Sequence, residues 1–151
     1  VLGAGDINGD GAADIIWRNT DTGLVWVYQM SGSQIVASYR LTHVSTDWSL
    51  AAIADLNGDG VDDLLWRNSV TGVNWVYLMA SGQVATSKPL NTVADMDWTI
   101  AMAADMDGNG TDDLVWRHML SGKNYVYFIN NGSVANVRYI NTVTDAAWQV
   151  K

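Results

Sequence analysis

Short segments with apolar side chains on both faces run through the chain, separated by turns that contain glycine. In a β-strand, successive side chains point to opposite faces. From Leu24 onward, residues 24, 26, 28 and 30 (Leu, Trp, Tyr, Met) would share one face, and Val25 and Val27 the other. Because both faces are apolar, we expect both to be covered, as in a sheet stacked between two like sheets. No segment has a sustained helical period, so the pattern predicts an all-β fold.

The same unit occurs three times in the chain. DINGDGAADIIWRN starts at Asp6, DLNGDGVDDLLWRN at Asp55 and DMDGNGTDDLVWRH at Asp105, so the copies are 49 and 50 positions apart. A period of this length is typical of propellers and solenoids. We expect the single length difference at the turn near Gly32, where the other copies have Ala80-Ser81 and Asn130-Asn131.

Each repeat predicts four short strands. They are WSLAAIAD (Trp48 to Asp55), DIIWRN from Asp14, LVWVYQM from Leu24 and IVASYRL from Ile35, with counterparts in the other copies. The first strand has small residues, which suit a strand packed close to its counterparts around a central channel. A β-sandwich with one solvent-exposed face would show a stricter alternation of apolar and polar residues. We therefore predict one β-propeller segment over 1–151 with three four-stranded blades. The blades cover approximately 1–47, 48–97 and 98–147, and 148–151 start the next blade.

Composition narrows the possible functions. The chain is 48% hydrophobic, has no cysteine and carries a formal charge of −8. The absence of cysteine excludes disulfides, and the negative charge argues against a nucleic-acid partner, whose binding needs a basic surface. No apolar run approaches the roughly 18 residues that cross a bilayer, so we expect no membrane insertion. All acidic residues are Asp, and Glu, a good helix former, is missing.

The loop that opens each repeat has calcium-ligand spacing. Oxygen-bearing side chains stand at its first, third, fifth and ninth positions, and the seventh position would offer its backbone carbonyl. Calcium takes six to eight hard oxygen ligands, and the glycine at the sixth position (Gly11, Gly60, Gly110) permits a sharp turn. The predicted ligands are Asp6, Asn8, Asp10, Ala12 and Asp14; Asp55, Asn57, Asp59, Val61 and Asp63; and Asp105, Asp107, Asn109, Thr111 and Asp113.

Alternatives to a calcium loop fit less well. An EF-hand needs Glu at its twelfth position, where these loops have Trp17, Trp66 and Trp116. A metal-free Asp/Gly turn would leave three carboxylates repelling one another in each loop. Three calcium ions would add six positive charges to the net −8 and leave −2. Magnesium is disfavoured because it demands rigid octahedral geometry and keeps its waters.

The triplicated loop followed by two apolar residues, Trp and Arg resembles the FG-GAP or VCBS repeat of bacterial propellers, and is similar to the calcium-binding blades of integrin α-subunits. The resemblance covers the whole chain. It implies a β-propeller with one calcium per blade, three per chain, between the first and second strands. It further implies a secreted or cell-surface protein that serves in adhesion, carbohydrate binding or as an enzyme accessory.

Three blades do not close a propeller, which generally has four to eight. The chain starts in mid-pattern at Val1 without an initiator Met, which indicates a processed or excised piece. Two chains joined head to tail would give six blades, since a heterologous contact that closes makes a ring. We predict this homodimer; the alternatives are three chains with nine blades, or a segment of a longer propeller.

The sequence shows no catalytic constellation. His43 and His118 do not recur between copies, and no cluster has triad spacing. We therefore expect a non-enzymatic module for glycan recognition, with a repeated Trp-Arg pair as a possible sugar platform. The alternative role for that pair is a core Trp with an Arg that bridges blades, in a structural or protein-interaction propeller whose main property is self-assembly. The candidate residues are Trp17, Arg18, Trp66, Arg67, Trp116 and Arg117.

Overall fold

The computed structural model describes residues 1–145, 147 and 148, and in this part of the chain it is all-β, as predicted. Three antiparallel sheets each contain four strands in sequence order. No helix among these residues is long and apolar enough to cross a membrane. Of the tail at 148–151, only Trp148 is described, so the prediction that this tail starts a further blade lies outside the described residues.

The strands fall where the repeat places them. The first sheet has β1 (Gly3–Gly5), β2 (Asp14–Arg18), β3 (Leu24–Ser31) and β4 (Gln34–His43). The second has β5 (Trp48–Ala54), β6 (Asp63–Asn68), β7 (Val73–Ala80) and β8 (Gln83–Thr92). The third has β9 (Trp98–Ala104), β10 (Asp113–His118), β11 (Lys123–Asn130) and β12 (Ser133–Thr142). We call these sheets the first, second and third blades.

The length difference between repeats does not lie at the turn near Gly32, so that prediction was wrong. All three β-hairpins at this turn have the same two-residue connection, closed by Ser31 with Gln34, Ala80 with Gln83 and Asn130 with Ser133. The first repeat is instead shorter between blades, with three residues from Val44 to Trp48 against four from Val93 to Trp98. A connection that runs over the surface tolerates this change.

The blades stack face to face, and a separate hydrophobic core fills each interface. Between the first and second blades, the fully buried residues include Ile16 and Val27 on one side and Leu64 on the other. Between the second and third, Val76 packs with Leu114 and their neighbours. The second blade is thus covered on both faces, as the apolar pattern predicted, and each outer blade has one uncovered face in the described chain.

Backbone hydrogen bonds repeat at both interfaces. Asp62 donates its N–H to the carbonyl of Asp6 at 2.8 Å, and Asp112 donates to Asp55 at 2.7 Å. The innermost strands lie side by side, because β1 contacts β5 and β5 contacts β9. Each blade is therefore docked on the next in the same way, which gives the stack its β-propeller-like form.

One turn glycine is required for close packing as well as for backbone conformation. Gly72 has φ +72° and lies so close to the Val93 carbonyl that a Cβ atom would overlap its oxygen. Gly32 also has a positive φ, of +58°, but nothing lies within 4 Å of its Cβ position. The equivalent residues Ser81 and Asn131 adopt this conformation with side chains.

We expect Gly72→Ala to lower the free energy of unfolding by about 2–4 kcal/mol, because it adds a steric overlap to left-handed strain. Gly32→Ala, the matched control, carries the strain alone and should lower it by about 1 kcal/mol. Urea unfolding of both variants measures the difference. Equal losses would show that the Val93 contact is not a tight one.

Candidate metal centres

Each Asp-rich loop connects the first and second strands of its blade. Residues 6–13 join β1 to β2, and the loops from Asp55 and Asp105 occupy the same place in the other blades. The glycine at the sixth position is in the left-handed region, with φ +85° at Gly11. The fourth position, Gly9, is there too at φ +82°. Sequence reasoning had missed this requirement, although glycine recurs at that position in every copy.

The first Asp of each loop accepts hydrogen bonds from the turn that follows it. One Asp105 carboxylate oxygen accepts the N–H of Gly108 at 2.7 Å, and the other accepts that of Gly110 at 3.0 Å. Asp6 and Asp55 make the same two bonds in their own loops. The bond from Gly110, partly opposed by burial, holds the pKa of Asp105 below its usual range. The Asp105 carboxylate is therefore kept ionised at the centre of its loop.

The ninth-position Asp of each loop is fully buried at the start of the second strand. Asp63 accepts N–H groups from Met79 at 2.8 Å and Leu56 at 3.0 Å. Asp14 accepts only one, from Met30, and its Oδ2 is buried without a partner among the described residues. Burial raises the pKa of Asp63 to about 7. A cation at the loop would compensate the charge that burial disfavours.

The third loop brings three predicted ligands together. Carboxylate oxygens of Asp105, Asp107 and Asp113 all lie within 4.8 Å of one another. The three residues hold the first, third and ninth positions of the predicted ligand set, and oxygens this close together could share one cation. In the described chain, the three carboxylates of each of the other two loops (Asp6, Asp10 and Asp14; Asp55, Asp59 and Asp63) do not form such a group. The third position there is an amide, Asn8 or Asn57, which offers a neutral oxygen.

The side chain at the fifth position of each loop accepts hydrogen bonds from the turn. Asn109 accepts hydrogen bonds from both the N–H and the hydroxyl of Thr111, and its amide donates to the Ile129 carbonyl at 3.1 Å. In the first loop, Asp10 accepts from the Ala12 N–H at 2.8 Å and from the Asn8 amide at 3.0 Å. Val61 donates likewise to Asp59 in the second loop. The seventh-position carbonyls remain predicted ligands.

Two carboxylates outside the predicted set tie the loops to the blade interfaces. Asp62 Oδ2 accepts the N–H of Asp6 at 2.8 Å, and Asp112 Oδ2 accepts that of Asp55 at 3.1 Å. Burial raises the pKa of Asp62, and the charges of Asp112 and Asp6 add to the effect. The sequence feature that could have identified Asp62 and Asp112 is the Asp-Asp pair in the second and third copies. The first copy has Ala13 in place of the first Asp of this pair.

A second cluster, formed by Asp95, Asp97 and His118, is not suited to a metal. The Nδ1 atom of His118 accepts the N–H of Ser121 at 3.0 Å, so the neutral imidazole carries its proton on Nε2, which lies 3.1 Å from Asp95. The Nε2 lone pair that a metal would need is therefore occupied. His118 closes its turn as the side-chain oxygen of Asn68 does in the second blade.

The repeated Trp-Arg pair is a packing element at both complete interfaces. Trp66 and Trp116 are 1% exposed, so neither offers an open indole face on the surface of this chain, and a ligand-binding role for them stays a prediction. Arg18 lies over the Trp66 ring at 5.3 Å, and Arg67 lies over Trp116 at 5.1 Å. Trp17, which has no preceding blade in this chain, is 37% exposed.

The guanidinium groups also hold the connections between blades. Arg18 donates to the carbonyls of Val44, Ser45 and Trp48. Arg67 donates to Val93 at 2.8 Å, and Arg117 to Val143 at 3.2 Å. These contacts support the alternative interpretation of a core Trp with an Arg that bridges blades.

The buried Asp63 predicts a pH dependence for the protein in EDTA. The folded carboxyl keeps its proton up to about pH 7, whereas the unfolded one releases it near 3.8. Its contribution to stability is therefore greatest below pH 4, falls as the pH rises toward 7 and stays lost above it.

Asp63→Asn should reduce this downward slope of unfolding free energy between about pH 4 and pH 7, measured by urea unfolding. Asp21→Asn, at an exposed turn, should leave the slope unchanged. A slope that is the same in Asp63→Asn and the parent protein would show that Asp63 titrates as an ordinary carboxyl.

The comparison with known families agrees with this geometry. The model of the FG-GAP-like repeat matches residues 6–66 and again 55–116, so that each match runs from one loop to the Trp of the following repeat. No curated protein matches the chain. Because the matched residues cover well over half of the sequence, the chain belongs to the FG-GAP-like repeat family.

Proposed function

We propose that this protein is a non-enzymatic, calcium-stabilised propeller module that closes into a six-bladed ring as a homodimer and recognises a glycan. The observation that carries the calcium proposal is the group of Asp105, Asp107 and Asp113, whose oxygens lie within 4.8 Å of one another. A set of hard oxygen ligands in a flexible loop suits calcium. One ion in each of the three loops would leave the chain close to neutral.

The exposed, repeated loops also suit an extracellular setting. Calcium modules that work outside cells bind the ion at roughly 10⁻⁴–10⁻³ M, so weak sites on a surface loop are filled there. We therefore propose a secreted or cell-surface location of the bacterial type. The non-enzymatic assignment is supported by the histidines, because His118 is committed to its turn and His43 is exposed.

The proposal for ring closure comes from two complementary faces. Arg117 contacts the Val143 carbonyl as Arg18 contacts Val44, but no described indole lies beneath its guanidinium. Trp17 and Trp26 are 37% and 40% exposed on the uncovered face of the first blade. Arg117 and Trp17 are thus the two halves of a contact that the chain makes twice internally. A second protomer, placed head to tail, would complete it at both junctions.

An alternative function is a scaffold or protein-interaction propeller whose main property is assembly into this ring. The burial of Trp66 and Trp116 favours it over a sugar platform on those two residues. Both candidates need the same closed ring, and they differ in whether a small ligand binds between the blades.

Calcium titration calorimetry should find three sites per chain. With free calcium at a hundredfold Kd, each independent site that binds only the folded state adds about 2.7 kcal/mol to stability. Asp107→Ala should remove one site, because it deletes a carboxylate of the third loop, and Asp21→Ala should remove none. Equal stability in calcium and EDTA would contradict the calcium proposal.

Sedimentation equilibrium tests the ring. The parent protein should have twice the chain mass of 16.4 kDa, and Trp17→Ala should weaken the dimer at least tenfold. Trp17 is partly exposed in one chain, so this change should leave the fold intact, unlike Trp66→Ala, which removes a buried side chain at a cost of about 3–5 kcal/mol. A parent protein that stays monomeric in calcium would refute ring closure.

A further inference from the structure

We propose that the cavity between adjacent blades is the glycan site, and that it binds one neutral saccharide unit; this rests on the proposed recognition function. The cavity between the first and second blades has a volume of about 310 Å³, at the lower end of the range for small-molecule sites. Trp48, Trp75 and Tyr77 of the second blade line it, and Val44 and Ser45 of the first blade form the opposite side.

The same cavity recurs at the next interface. It has a volume of about 220 Å³ there and is lined by Trp98, Tyr125 and Tyr127, with Val93 from the preceding blade. The uncovered face of the first blade carries the matching aromatic wall, formed by Trp17, Trp26 and Tyr28. Each blade thus brings an aromatic wall, and the preceding blade completes the cavity. Ring closure would complete the third one with residues of the second protomer.

Polar groups at the cavity are few and fixed in place. Trp75 donates its indole N–H to the Ser87 hydroxyl at 2.8 Å, and Trp26 donates to Ser38 at the same distance. Trp66 and Trp116 also line their cavities, and each has a buried indole N–H without a hydrogen-bond partner among the described residues. Protein atoms cover both of these N–H groups, so a ligand in the first cavity would bond instead to the exposed hydroxyls of Ser45 and Ser87.

The charges around the cavity select a neutral ligand. Aromatic cages also bind quaternary ammonium groups, but here Arg18 already lies 5.3 Å from the centre of the Trp66 ring and would repel a cation. The residues that line the first cavity include no Asp, Lys or Arg, and the charged residue that lines the second is Lys123, which would also repel a cation. A saccharide has an apolar face, which packs against an aromatic ring. It also has hydroxyls, which can form hydrogen bonds with the few polar groups of the cavity.

The test blocks the cavities from one exposed position on each outermost strand. Ser38, Ser87 and Val137 are equivalent, exposed positions on β4, β8 and β12. A triple change of these residues to Trp would fill the cavities. The matched control is the triple change of Asp21, Val70 and Leu120 to Trp, which adds the same bulk at equivalent exposed turn positions that line neither cavity.

Calorimetry and tryptophan fluorescence with the methyl glycosides of glucose, galactose, mannose, fucose and N-acetylglucosamine give the readout. The parent and the control should bind at least one glycoside saturably, with Kd of about 1–10 mM, and the blocked variant at least tenfold more weakly. The proposal is overturned if no glycoside binds, if the blocked variant binds as well as the control, or if tetramethylammonium binds in place of the glycosides.

Sedimentation and calcium titration of the same samples separate this inference from the proposed function. A calcium-loaded dimer that binds no glycoside contradicts the cavity alone. A monomer that binds no calcium contradicts the ring, while the two cavities complete within one chain are still tested by the glycosides.

Discussion

The structure depends on a carboxylate buried at the start of the second strand of every blade. Asp63 accepts one N–H from the loop, at Leu56, and another from the end of the third strand, at Met79. Asp113 does the same with Met106 and Ile129. In the second and third blades one side chain thereby fixes the loop against the sheet, and burial raises the pKa of Asp63 to about 7. A cation bound in the surrounding Asp-rich loop, as we propose, would compensate the charge of this carboxylate.

The Asp-rich loops are hydrogen-bonded across the blade interfaces. The backbone of Asp6 bonds to both the N–H and the carboxylate of Asp62 across the first interface, and Asp55 bonds to Asp112 in the same way. These carboxylates add negative charge beside the loops. We propose that calcium would relieve the repulsion within each loop and between the blades, so that metal binding and assembly would be linked.

Much of this architecture follows from the sequence because the repeat is so regular. The alternation of apolar residues in the third strand predicted sheets covered on both faces, and the second blade is covered in this way. The burial of other residues depends on which blade packs against their face of the sheet. The periodicity of the sequence carries no information about that neighbour. The same Trp is buried as Trp66 and exposed as Trp17 because only the first lies against a preceding blade. The roles of Asp62 and His118 likewise depend on contacts between residues far apart in the chain or on a local turn geometry.

Anomalous diffraction from calcium-saturated crystals tests the central claim most directly. We expect a difference peak in each of the three loops, within ligand distance of Asp14, Asp63 and Asp113. Ordered loops without such peaks, in crystals grown with excess calcium, would contradict it.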